Sequence, residues 1–247
     1  MEISILDVLF YTSLTALATS LGAIPFVWAK SMAREWIGLA GAVAVGLMLA
    51  ASFQLFDEGL AMGVGRVAVG VVVGMVFILL SDKFVGDRED FSVGQLEGAD
   101  ALKALLIVGV MTMHSFAEGI GLGVSFGRGM EFGVSIVIAI AIHNVSEGLA
   151  ISLVLVSRGV AVWKAALWSL FSSLPQPLLA VPAFLFVETF DFYLPVGLGL
   201  AAGAMIWMAT AELLPDAFED SSPTRVATVL TLSLGAMMLL QMAVGAH

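Results

Sequence analysis

The chain has 247 residues, of which 60% are hydrophobic and only 12% are charged, with a mean hydropathy of +1.04 and no cysteine. These proportions exclude an ordinary water-soluble domain and indicate an all-α integral membrane protein. The absence of cysteine excludes disulfides and thiolate metal sites. The net charge of −10 comes mainly from acids in predicted loops and termini, and no basic patch favours nucleic acid as a partner.

Apolar runs of about 20 residues, the length that crosses a bilayer as a helix, divide the chain into eight predicted spans. The spans form a single transmembrane domain over 1–247, at residues 6–29, 36–57, 64–82, 101–124, 131–156, 163–187, 193–214 and 224–246. The first span lacks the basic flank of a secretory signal and is predicted to be retained. The longest loop, 83–100, is acidic; we interpret it as a solvated surface, with a weak cation-collecting surface as the alternative.

Lysine and arginine are distributed unevenly among the predicted loops. With the N-terminus outside, eight of the ten basic residues fall on the cytoplasmic side, and only Arg66 and Arg128 fall outside. This positive-inside bias predicts a multi-pass protein of the cell membrane with both termini extracytoplasmic. The lipid bilayer is therefore one expected partner.

The two internal histidines lie in near-copies of one motif, His-x-x-x-Glu-Gly, which starts at residue 114 and again 29 residues later. Residues i and i+4 share one face of a helix, so each copy presents an imidazole and a carboxylate in the same direction. The turn between the two spans centres near Arg128, 14 residues after the first histidine and 15 before the second. In an antiparallel helix pair, both copies would therefore lie at a similar depth, close to the bilayer midplane.

Two buried carboxylates that face each other in lipid repel one another, and a divalent cation would remove that penalty. Imidazole and carboxylate ligands suit Zn²⁺, Cd²⁺, Co²⁺, Mn²⁺ and Fe²⁺ better than Mg²⁺ or Ca²⁺. The alternative is that His and Glu only form polar contacts with each other between the helices. The duplication of the whole motif disfavours it. The motif therefore predicts a mid-membrane metal site formed by His114, Glu118, His143 and Glu147.

Small and polar residues flank the motif. Gly119 and Gly148 follow the two glutamates and are predicted to let the two motif helices approach closely. Neutral oxygen atoms that could act as ligands of a second metal site beside the first are found on Ser115, Asn144 and Gln176. For Gln176, the alternative role is to form hydrogen bonds with backbone groups that the neighbouring prolines leave unpaired.

Met48 lies in the middle of the second predicted span. Its thioether could complete the site, but in a membrane protein with 13 methionines a packing role is equally expected.

The sequence resembles the Zrt/Irt-like (ZIP) family of divalent metal transporters, in its prokaryotic branch. The resemblance covers residues 10–25, 46–53 and 203–215 together with the two motif helices. It implies eight helices in a 3+2+3 arrangement, with the outer triplets related as inverted repeats. It also implies transport toward the cytoplasm by alternating access, with Zn²⁺, Cd²⁺, Fe²⁺ or Mn²⁺ as the transported substrate and not a cofactor. A homodimer is a family-level expectation.

The resemblance also implies ligands by position. The first site would comprise Met48 with the four motif residues, and the second would share both glutamates and add Ser115, Asn144 and Gln176. This chain departs from the family pattern, because Ser115 and Ala117 stand where Asn and often Pro are found, and Gln176 stands where relatives carry Glu. The lost carboxylate predicts one strong site and a weak or absent second one. The usual histidine-rich loop is also missing.

Two other classes remain open on the residues alone. A His/Glu-bound zinc with an activated water would make a membrane-embedded hydrolase, although no His-Glu-x-x-His motif is present. A metal-binding receptor that does not transport is the other class. Three features together favour transport: a faint likeness between the second and seventh spans, the proline-kinked helices, and the ligands at the midplane. We therefore predict that the protein is not an enzyme and has no catalytic residues.

Overall fold

The structure is a computed structural model that describes residues 3–28, 33–86, 92–93 and 96–245. Side chains are described for these residues other than 81–86, 92–93, 96–100, 102–103, 188–189 and 244–245. The acidic loop predicted at 83–100 therefore lies largely outside the described residues, as does His247.

The described chain is almost entirely helical, as its composition predicts. The α-helices in chain order are α1 (Ile5–Leu21), α2 (Arg34–Gly86), α3 (Gly98–Gly127), α4 (Met130–Ser157), α5 (Val162–Ser173), α6 (Pro175–Leu185), α7 (Val187–Met208), α8 (Leu214–Asp220) and α9 (Pro223–Gly245). A 3₁₀ turn follows α1 at Ile24–Val27, and a π-helical turn at Ala209–Leu213 joins α7 to α8. Strands β1 (Ser92–Val93) and β2 (Leu96–Glu97) form a small antiparallel pair.

Glycine and proline break the helices at the places where the chain changes direction. Helix α2 is interrupted at Gly63, where φ is 162° and ψ is 102°. The 3₁₀ turn after α1 contains Pro25, and Pro175 begins α6 directly after the end of α5. Proline lacks an N–H group, so it suits the first turn of a helix and ends the preceding one. The first and sixth predicted spans are therefore each interrupted near a proline.

Six helical stretches among the described residues are long and apolar enough to cross a membrane. The longest, Arg34–Leu80, contains the break at Gly63, the predicted span 36–57 and most of the predicted span 64–82. The predicted span 163–187 is divided between α5 and α6, of 12 and 11 residues, each too short to cross alone. The chain is a multi-pass membrane protein, and the number of eight crossings stays a prediction.

The helices pack as two groups. Helices α7, α8 and α9 pack on α2, and we call these four the α2 bundle. Helices α1, α3, α4, α5 and α6 pack on one another, and we call them the α3 bundle. Within the α2 bundle, the contact between α2 and α7 is close because glycines line it; a Cβ on Gly203 would lie 2.7 Å from the carbonyl oxygen of Val71. Helices α3 and α4 contact the α2 bundle, and the candidate site lies near this contact.

Charged side chains pair at both ends of the molecule. At the end where α4 and α8 finish, Arg158 lies 3.3 Å from Asp216, Arg34 lies 3.6 Å from Asp220, and Arg225 pairs with Glu35. At the other end, Arg128 lies 2.8 Å from Asp191, and Arg66 donates a 2.6 Å hydrogen bond to the carbonyl oxygen of Phe192. The described basic residues thus fall into the two groups that the predicted topology separates, and the assignment of each end to one side of the membrane stays a prediction.

Candidate metal site

Helices α3 and α4 bring both copies of the repeated motif together. The side chains of His114, Glu118, His143 and Glu147 are buried, with exposed fractions of 0%, 4%, 8% and 1%. Each offers one nitrogen or oxygen atom, and these four atoms lie within 4.8 Å of one another. The short connection from Gly127 to Met130 reverses the chain at the predicted turn and places the two histidines at the same level.

The distances among these atoms match the spacing of ligands around one metal ion. His114 Nε2 lies 2.9 Å from Glu147 Oε1, 3.1 Å from His143 Nε2 and 3.3 Å from Glu118 Oε1. His143 Nε2 lies 3.5 Å from Glu147 Oε1 and 3.8 Å from Glu118 Oε1. In a tetrahedral Zn²⁺ site with bonds of about 2.0 to 2.1 Å, neighbouring ligand atoms are about 3.3 Å apart. The observed range brackets that value.

The short contacts within the cluster are not all hydrogen bonds. Among the described residues, neither carboxylate oxygen of Glu147 accepts a hydrogen bond, although Oε1 lies 2.9 Å from His114 Nε2. The Nδ1 atoms of both histidines also lack hydrogen-bond partners there. A buried cluster of two imidazoles and two carboxylates that leaves such atoms without hydrogen bonds could hold a metal ion. A dication at that point would compensate both carboxylates.

A buried amide network lies beside the cluster. Gln176 Nε2 donates a 2.5 Å hydrogen bond to Glu118 Oε2 and a 3.2 Å bond to Asn144 Oδ1. Gln176 Oε1 accepts from Asn144 Nδ2 at 2.9 Å, and the same Nδ2 donates to the Thr15 carbonyl oxygen at 2.7 Å. Because Asn144 fixes which way the amide of Gln176 is turned, an N–H group and not an oxygen faces Glu118.

The remaining predicted ligands are buried nearby. The hydroxyl of Ser115 is fully buried and has no hydrogen-bond partner among the described residues. Met48, 1% exposed, lies in the same hydrophobic cluster as Ala51 and Ala117, two residues that line the cavity above Glu118. The roles of Met48 and Ser115 as ligands stay predictions.

The prediction that Gly119 and Gly148 bring the two motif helices together is wrong. A Cβ on Gly148 would overlap the carbonyl oxygen of Thr19 in α1, and a Cβ on Gly119 would lie 2.8 Å from the carbonyl oxygen of Gln176 in α6. Successive residues of a helix are rotated by about 100° around its axis. Each glycine directly follows a glutamate of the cluster and therefore faces a different direction from that glutamate. The glycines instead bring α4 against α1, and α3 against α6.

Comparison with known proteins matches the amino-acid sequence to one family. The pattern of the family described as ZIP Zinc transporter matches residues 87–243, more than half of the chain. The chain belongs to the ZIP zinc transporter family. This confirms the resemblance that the two motif helices indicate. Because ZIP proteins are transporters and not enzymes, the membrane hydrolase is set aside.

Named ZIP relatives cover this chain almost completely. It is 46% identical over 96% of its length to a "Putative zinc transporter" of Arabidopsis thaliana, although it spans only 38% of that protein. It is 32% identical to zinc transporter ZIPB of Bordetella bronchiseptica, over 92% of this chain and 78% of the relative. It is 29% identical to zinc transporter GufA of Myxococcus xanthus, over 94% of this chain and 96% of the relative.

One residue beside the candidate metal site, Thr15, is not among those predicted from the sequence. Thr15, fully buried on α1, places its hydroxyl oxygen 2.6 Å from Gln176 Oε1. The signal was present in the sequence, because Thr12, Thr15 and Thr19 recur at helical spacing in an apolar span and all three are buried. Such a polar stripe indicates a face turned toward polar partners.

A cavity of about 450 Å³ leads from the candidate metal site to one end of the molecule. Glu118 and His143 lie at its base, and Arg128 and Phe132 lie at its far end. Its walls come from α2, α3, α4 and α7, so it runs between the two bundles. This cavity could not be predicted from the sequence, because its wall residues are mostly apolar and resemble any other buried helix face.

Proposed function

We propose that this chain carries divalent transition-metal ions across the membrane toward the cytoplasm through the His/Glu cluster, with Zn²⁺ as the foremost substrate. The observation that carries this proposal is the convergence of four ligand atoms within 4.8 Å at a buried position. Two imidazole nitrogens and two carboxylate oxygens are a ligand set for Zn²⁺, and they also accept Cd²⁺, Fe²⁺ and Mn²⁺. The names of the relatives support zinc.

The proposed mechanism is alternating access with eight membrane crossings in a 3+2+3 order, in which the α3 bundle moves against the α2 bundle. The position of the 450 Å³ cavity supports one half of the cycle, because it connects the cluster with the Arg128 end only. A cavity of about 790 Å³ at the opposite end, beside Phe26 and Val160, touches none of the four ligands. We assign the Arg128 end to the outside of the cell membrane, since the predicted topology puts eight of the ten Lys and Arg residues on the other side.

The proposed site holds one ion strongly. A second ion beside the first would need the outer oxygen of Glu118, and Gln176 Nε2 already donates a hydrogen bond to that oxygen. Asn144 Oδ1, the oxygen that the second site would use, likewise accepts a 3.2 Å hydrogen bond from Gln176 Nε2. Protein donors thus compete with a second cation at each of these atoms. Homodimer formation stays a family-level prediction.

The deciding experiment is metal uptake by the purified protein in proteoliposomes. Wild type should take up Zn²⁺ at a rate that saturates with concentration, and the His143→Ala, Glu147→Ala double variant should lose nearly all of it. Ser152→Ala is the matched control, since this buried α4 hydroxyl makes no hydrogen bond among the described residues and is not a proposed ligand. Equal uptake by wild type and the double variant would overturn the site, and saturable binding without uptake would replace the transporter with a receptor.

A further inference from the structure

A polar pair on α2 lies part-way along the cavity that leads to the cluster. The α2 residues in the cavity wall recur at helical spacing, at Ala51, Gln54, Leu55, Glu58, Ala61 and Met62. Glu58 and Glu118 are the two carboxylates in the described lining of this cavity, and most of its other residues are apolar. Glu58 is therefore the one negative charge of the lining that lies outside the central cluster.

The helix rise gives the position of Glu58 along the cavity. From Glu118 at the base to Arg128 at the mouth, α3 and the turn after it advance ten residues, or about 15 Å. Along α2, Glu58 is seven residues beyond Ala51 at the base, or about 10 Å. Glu58 also lines a second cavity of about 730 Å³, which continues past Arg128 and Gly129 toward the end of the molecule. It thus stands where the two cavities meet.

The local chemistry at this junction suits a cation in transit. Gln54 Nε2 donates a 2.9 Å hydrogen bond to Glu58 Oε1, so both side chains face the same cavity. A half turn of the Gln54 amide would present its oxygen beside the carboxylate and give a cation two oxygen ligands. The charge of Arg128, which would repel a dication at the mouth, is offset by Asp191 at 2.8 Å. Glu58, with Glu131 in the lining of the second cavity, then gives the mouth a negative field.

We propose that Glu58 and Gln54 form a relay site, which binds the incoming divalent cation weakly between the cavity mouth and the His/Glu cluster. Two oxygen ligands hold a transition-metal ion less firmly than two imidazoles with two carboxylates, so the cation passes on to the cluster. The relay site raises the local concentration of cations and the rate of loading without changing the affinity of the cluster. This inference rests on the proposed transport function.

The first test compares two neighbouring carboxylates. Glu58→Gln should raise the KM for Zn²⁺ uptake into proteoliposomes about three- to tenfold and leave the maximal rate and the equilibrium affinity of the cluster unchanged. Asp57→Asn removes the same charge from the next residue, which lines neither cavity, and should leave KM near the wild-type value. An unchanged KM in Glu58→Gln, or an equal rise in both variants, would overturn the relay site.

A second test uses the absence of cysteine from the chain. Glu58→Cys would carry the only thiol, which can be labelled with a thiosulfonate that adds a negative, a neutral or a positive group. KM should rise in that order, and the negative label should restore most of the wild-type value. A KM that follows the size of the label and not its charge would contradict the proposal. Loss of uptake in the wild type itself would instead refute transport, so the two failures are distinguishable.

Discussion

Gln176 Nε2 donates a 2.5 Å hydrogen bond to Glu118 Oε2, on the side of that carboxylate away from the cluster of four ligand atoms. The two residues come from α6 and α3, which are in backbone contact at Gly119. A neutral N–H group thus stabilises the oxygen that a second cation would otherwise neutralise. One carboxylate in place of this amide would reverse the balance, because it would add a ligand and remove the donor.

Gln176→Glu should therefore convert a site for one ion into a site for two. Metal content after equilibrium dialysis should rise from one tightly held Zn²⁺ per chain to two. Gln176→Ala is the control, since it removes the amide without adding a carboxylate and should not reach two ions. Two tightly held ions in the wild type would contradict the argument.

Thr15→Val should weaken metal binding from outside the ligand set. The substitution keeps the shape but removes the hydroxyl beside Gln176 Oε1, so the amide that holds Glu118 is less firmly oriented. Loss of a residue that orients a ligand typically lowers metal affinity about 10- to 100-fold, and we expect the low end of that range in a Zn²⁺ titration. Thr12→Val is the matched control, because among the described residues the Thr12 hydroxyl bonds only to carbonyl oxygens of its own helix. Equal affinities in the two variants would show that the network does not position Glu118.

Metal binding should weaken as the pH falls. Protons and the cation compete for the same His Nε2 and Glu oxygen atoms, so binding releases protons and affinity rises with pH. Calorimetric titrations in two buffers with different ionisation enthalpies, at one pH, measure the number of protons released. That number should be smaller in His143→Ala than in Ser152→Ala. A pH-independent affinity would be inconsistent with these ligands.

Gly148→Ala should destabilise the protein because its Cβ would overlap the Thr19 carbonyl oxygen. Overpacking a close contact costs about 1 to 3 kcal/mol, which should appear as a lower melting temperature in detergent. Gly109→Ala adds the same methyl group at a helical position with no neighbouring atom within 4 Å of the new Cβ. The control should melt at the wild-type temperature or slightly above it, since alanine is the better helix former.

The convergence of His114 with His143 could be predicted from sequence because it depends only on local rules. The i, i+4 spacing sets the face of each helix, and equal distances from the turn set the depth. The bends at Pro25 and Pro175 were predictable for the same reason, since proline acts on its own backbone.

The packing and hydrogen-bond partners of the residues beside the motif depend on tertiary packing, which cannot be predicted from the local sequence pattern. The same Gly148 would fit a contact with α3 or with α1, and only the packed helices show that it faces Thr19. Gln176 could have presented its oxygen to a cation, and its orientation follows from a hydrogen bond to Asn144, 32 residues away in the chain. The sequence could identify which side chains are able to bind a metal ion or form hydrogen bonds, but not the direction in which each side chain points.

The close backbone contacts of α4 with α1 and of α3 with α6 have a thermodynamic consequence. They leave little room for the α3 bundle to deform, and that bundle carries all four atoms of the cluster. If it moves as one body, the cation keeps these four ligands whether it is reached from outside or from the cytoplasm, and its affinity for them is similar on both faces. Such a carrier has no built-in preference for one direction. Without a coupled ion, net flux follows the electrochemical gradient of the free ion, and accumulation against that gradient would require a second, coupled ion.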